Sequence, residues 1–72
     1  MNNGIIGTHL ATNQPVEIEL TPQEMSLATS NLNKYMDWDI MCENLKERTG
    51  ITLIGQVEID FLVVDGLKRV FH

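Results

Sequence analysis

Between Thr21 and Gly50 the chain carries clear helix-start and helix-stop signals around apolar residues that do not share one side of a helix. Thr21-Pro22-Gln23-Glu24 opens the segment. Thr21 offers an N-cap hydroxyl, Pro22 suits a first helical position where no N–H partner is lost, and Glu24 can close a capping box. Arg48-Thr49-Gly50 closes it: glycine takes the left-handed conformation that ends helices, and Lys46 and Arg48 put positive charge on the last turn. These signals predict a helix from Pro22 to Thr49. At about 100° per residue, Met25, Ala28, Leu32, Tyr35 and Met36 form one stripe. Trp38, Met41, Cys42 and Leu45 form another, rotated by roughly 120°. A sheet covers only one stripe of a straight helix. Either the helix breaks near Asp37, which would N-cap the new segment, or it runs on and its second stripe meets another chain.

Strand patterns flank this segment. Val16, Ile18 and Leu20 alternate with Glu17 and Glu19, and Thr12-Asn13-Gln14-Pro15 has turn chemistry, with Ile6 to Leu10 as the returning partner. Near the end, Val57 to Val64 alternates and then becomes continuously apolar, and Asp65-Gly66 favours a two-residue type I′ turn. Pairing across it sets Val64 opposite Leu67, Leu62 opposite Arg69 and Phe61 opposite Val70. Val57, Ile59, Phe61, Val63 and Val70 then form the expected core face, and Gly55 marks a bulge or tight turn. The expectation is a single α+β domain over residues 1–72: hairpin, central helix (continuous or broken), hairpin, with an antiparallel sheet packed on the helix.

A chain of 72 residues is small. It hides only about 60% of the surface its unfolded form exposes, and chains of this size draw on disulfides, metals or self-association. Cys42 is the single cysteine, and His9, His72 and Cys42 lack the paired spacing of a zinc site. No cofactor or metal is expected. Self-association is left, so a homo-oligomer is expected. The sequence shows no basic-then-apolar leader pattern and no apolar run near the ~18 residues of a membrane span. An isolated thiol suits a reducing, cytoplasmic setting.

The net charge is −5, and the excess lies in residues 1–45, where Glu17, Glu19, Glu24, Asp37, Asp39 and Glu43 face Lys34 alone. Such a balance repels phosphate backbones and argues against direct nucleic-acid binding. Asp37 and Asp39 sit two apart, where helical side chains diverge, so they make no paired-carboxylate site. Cys42 has no His neighbour, and Gly4 and Gly7 lack the rest of a phosphate loop. No catalytic motif appears, and no enzyme is expected.

Two groups of residues point to binding. Tyr35, Met36, Trp38, Met41 and Leu45 bring aromatic and thioether side chains together as a candidate partner or oligomer interface. Lys46, Arg48, Lys68 and Arg69 concentrate positive charge that symmetric assembly could gather into an anion pocket. The leading expectation is a small acidic binding protein, acting stoichiometrically as an inhibitor or adaptor of a partner protein, of the type phages and mobile elements encode. One alternative is an oligomer that sequesters an anionic metabolite or nucleotide between subunits. Another is an acidic decoy that mimics nucleic acid through the six carboxylates of the first 45 residues.

Overall fold

The computed structural model describes residues 1–71. Its elements run β1 (Gly4–His9), β2 (Pro15–Glu19), α1 (Pro22–Ala28), α2 (Lys34–Thr49), β3 (Val57–Val64) and β4 (Leu67–Val70). The strands form one antiparallel sheet in the order β2-β1-β3-β4. The helices pack on one face of it, so the fold is α+β with a single layer of helix on a single sheet.

Both ends of the helical segment follow their signals. The Thr21 hydroxyl accepts from the Glu24 N–H at 3.1 Å while the Glu24 carboxylate accepts from the Thr21 N–H at 2.9 Å, completing the capping box. Gly50 caps α2 at φ +78°, its N–H donating to the Lys46 carbonyl at 2.8 Å.

The helix is broken, but earlier than expected. Thr29-Ser30-Asn31-Leu32-Asn33 separates the two helices, and four of these five side chains compete with the helix for backbone hydrogen bonds. The Thr29 hydroxyl donates to the Met25 carbonyl at 2.9 Å. Asp37 is therefore not an N-cap. It lies in the first turn of α2, where its N–H donates to the Asn33 carbonyl and its carboxylate accepts from the Ser30 hydroxyl across the break. Breaking the segment lets Met25 on α1 and Met41, Cys42 and Leu45 on α2 reach one core with Ile5, Ile18, Leu20, Leu53 and Val57.

The last hairpin has the expected register, with Val64 opposite Leu67, Leu62 opposite Arg69 and Phe61 opposite Val70. Asp65 and Gly66 both take positive φ, as a type I′ turn requires. The expected core face of β3 is corrected by a bulge. Ile6 pairs with Phe61 and Gly7 with Ile59, which leaves Asp60 as an extra residue. Beyond it the alternation changes phase, so Leu62 and Val64 join Val57 and Ile59 against the helices. Phe61, Val63 and Val70 turn to the face that no helix covers, although Val63 is buried there as expected. There the Lys68 ammonium sits 5.8 Å from the centre of the Phe61 ring, and the Thr8 hydroxyl donates to Asp60 at 3.0 Å.

Candidate functional site

The two most exposed large apolar side chains among the described residues, Leu32 and Tyr35, lie where the chain leaves the break and enters α2. Leu32 is 93% exposed, Tyr35 85%, Met36 64% and Ile40 44%. Met36 and Ile40 are four apart, hence neighbours on one helical face. That face points away from the core side set by Met41, Cys42 and Leu45. Asp39 and Glu43 share it and are exposed. The surface is therefore a short apolar strip bordered by carboxylates.

Beside the strip, Ala28, Lys34, Tyr35, Trp38 and Phe71 line a cleft of about 250 Å³. Three of the chain's four aromatic residues meet there. Trp38 and Phe71 have ring centres 4.8 Å apart with planes inclined at 38°, a tilted pair within the favourable range for aromatic contacts. Trp38 reaches the cleft because it sits on the border of α2, half-buried against the core. Phe71 arrives from the end of β4, its N–H donating to the Asp60 carbonyl at 3.3 Å. Sequence reasoning did not connect Phe71 with Trp38. The hairpin register held the signal, since it sets Phe71 on the same side as Leu67 and Arg69.

The expected interface residues divide. Tyr35 and Met36 lie on the exposed strip, and Trp38 forms a wall of the cleft. Met41 and Leu45 are corrected: both are fully buried in the chain's own core, because the break turns the second stripe onto the sheet. Neither offers a side chain to a partner.

The four basic residues do not converge within one chain. Arg48 is held at the β2 side of the sheet, donating to Glu24 through Nη2 at 2.7 Å and Nε at 3.2 Å, and to the Glu19 carbonyl at 2.8 Å. Lys68 and Arg69 lie on β4, at the opposite edge, and Lys46 is exposed in the last turn of α2. The six acidic residues disperse as well. Glu24 is buried against Arg48, Asp37 is bound to Ser30, and Glu17 and Glu19 lie on β2, away from Asp39 and Glu43 on α2.

Three charge environments are set by geometry. Burial alone would raise the Glu24 carboxyl, but hydrogen bonds from Arg48 and Thr21 and the guanidinium charge outweigh it and hold the pKa below the ordinary range. The Glu24 hydrogen bond raises Arg48 in turn. Burial, followed by the charges of Asp39 and Glu43, pushes the Cys42 thiol up to about 11, the reverse of what a nucleophile needs. Among the described residues no three His, Cys, Asp or Glu side chains group as metal ligands, and no helix is long and apolar enough to cross a membrane. His72 lies outside the described residues. His9 borders a wider, open hollow of about 650 Å³ with Leu10, Gln14 and Gln56. Compared with protein-family models, with curated proteins and with solved structures, the chain matches none.

Proposed function

We propose that this chain is a non-catalytic binding protein that engages a partner protein stoichiometrically, as an inhibitor or adaptor of the kind phages and mobile elements encode. A single observation carries the reading: Leu32, Tyr35 and Met36 stand in solvent where α2 begins, and Tyr35 also lines the Trp38–Phe71 cleft. A small chain rarely leaves such side chains side by side without a use for them. Exposed aromatic and thioether groups beside a cleft are the usual makings of an interface hot spot. A cleft of about 250 Å³ is small against the 300–1,000 Å³ typical of small-molecule pockets, and suits one anchoring side chain. Asp39 and Glu43 on the same face favour a partner with basic residues around that anchor.

The separation of Lys46, Arg48, Lys68 and Arg69 gives no support to an anion pocket within one chain. The dispersal of the carboxylates likewise gives none to a nucleic-acid mimic. The proposed setting is a reducing one, the cytoplasm, where Cys42 stays a thiol.

The test compares tagged wild type with a Leu32→Ser/Tyr35→Ser/Met36→Ser variant. Because these side chains are exposed, the variant should keep the wild-type circular dichroism spectrum. A partner recovered with the wild type at a fixed ratio by native mass spectrometry should be lost with the variant. A fixed-ratio partner retained equally by both proteins would overturn the proposal.

A further inference from the structure

The sheet ends in two open edges, β2 and β4, and the backbone groups that face outward there follow from the bonds already made. The His9 N–H donates to the Gln14 carbonyl at 2.8 Å and the Leu20 N–H to the Asn3 carbonyl at 3.0 Å. Antiparallel alternation then turns the peptide groups of Val16 and Ile18 inward and those of Glu17 and Glu19 outward. On the other side, the Val64–Leu67 turn and the Phe71 N–H bond to Asp60 turn Leu67 and Arg69 inward. Lys68 and Val70 are left facing out. Across the sheet Glu17 aligns with Ile6 and Phe61, and Glu19 with Gly4, Val63 and Lys68. The side chains of both outward pairs therefore lie on the uncovered face.

The edges thus match in phase and oppose in charge. Pairing β4 with β4 of a second copy would crowd Lys68 and Arg69 against their own kind. Pairing β2 with β2 would do the same for Glu17 and Glu19. Like charges directly opposite are destabilising. Only β2 against β4 sets opposite charges together. Because each neighbouring pair is antiparallel, β2 and β4 of one chain run in opposite directions. A second copy placed alongside then pairs antiparallel and keeps its helices on the same face. Arg48 already occupies the outward carbonyl of Glu19 and proline has no N–H, so the groups of β2 left to pair are the Pro15 carbonyl and the Glu17 N–H and carbonyl.

We infer that copies of this chain join edge to edge, β4 of one against β2 of the next, with Lys68 opposite Glu17. Two such junctions about a twofold axis close eight strands into a ring with the helices outside. Ile6, Phe61, Val63 and Val70 then turn inward together with Thr8, Glu19, Asp60 and the Glu17–Lys68 pairs, and no open edge is left. The assembly draws nothing from the α2 strip, so it stands or falls separately from the partner-docking proposal.

Native mass spectrometry and sedimentation across a concentration series test it. Wild type should form a dimer of the 8.2 kDa chain. Glu17→Lys and Lys68→Glu, both at exposed positions, should each remain monomeric with an unchanged circular dichroism spectrum. Mixing the two variants should restore a one-to-one dimer, because each junction regains an opposite pair, and so should the doubly exchanged chain. Should either reversal misfold, Glu17→Gln takes its place, with dimer affinity lowered by up to about fivefold per junction. Wild type that stays monomeric throughout, single reversals that dimerise as well as wild type, or a mixture that stays monomeric would each overturn the inference.

Discussion

At the scale of single residues, Glu24 is the charged side chain that the described fold buries, and Arg48 makes that burial tolerable. Arg48→Met would leave the carboxylate without its partner at an interior position. The expected loss at neutral pH is about 1–3 kcal/mol, read from urea unfolding. The pH dependence follows from the direction of the shift. A carboxyl depressed in the folded state contributes fully above its ordinary value of 4.5 and loses that contribution as pH falls through the folded value. Wild type should therefore weaken in acid more steeply than Arg48→Met does. Cys42 has the opposite sign. Its folded value is raised from 9.0 to about 11, so its contribution is intact below pH 9 and is lost as pH rises toward 11. Unfolding series on wild type and Cys42→Ala should keep a constant offset below pH 9 and change that offset only at the alkaline end.

Among the elements, β1 and β3 meet at the least regular point of the sheet. A Cβ on Gly7 would run into the Glu58 carbonyl and come within 2.9 Å of Val57 Cγ1, so the backbone of β3 would have to move. Gly7→Ala should cost about 1–3 kcal/mol, seen as a lower melting temperature. A melt within a degree or two of wild type would show that the bulge yields freely. Gly7 was read in the sequence only as half of an inadequate phosphate loop, which shows where sequence patterns stop. Thr21, Pro22, Glu24, Gly50 and Asp65-Gly66 were legible because caps and tight turns are local chemistry. The Thr29–Asn33 break was half legible: the slip between stripes allowed either a break or a second chain, and it pointed to Asp37 rather than to the polar run before it. The extra residue at Asp60 was not legible. It arises from how β3 meets β1, some fifty residues earlier in the chain, and it decided which of Phe61 and Leu62 entered the core. For the candidate site, Tyr35 and Met36 could be found from composition and spacing. Phe71 needed tertiary contact with Trp38 to acquire a role.

For the whole molecule, net charge sets one expectation directly. At −5, with its cations spread over opposite edges, the protein has no track to replace the counterions of a duplex. Duplex DNA or RNA should not shift in a gel at physiological salt, and a sequence-independent shift at sub-micromolar protein would contradict this. The arrangement of β1 between β2 and β3 has a consequence of another kind, for the order in which the molecule comes into being. One side of β1 is satisfied by the nearby β2, the other only by β3, with Gly4 meeting Val63 and His9 meeting Val57. During synthesis the helices emerge with just half a sheet to lie on, and Met41 and Leu45 wait for a wall not yet made. Such long-range closure slows folding and leaves sticky surface open meanwhile. A fragment ending before Val57 should show little native circular dichroism, whereas adding the last hairpin should recover it in a single cooperative step. The chain is thus committed late, because its central strand pairing is completed only once β3 has followed the helices.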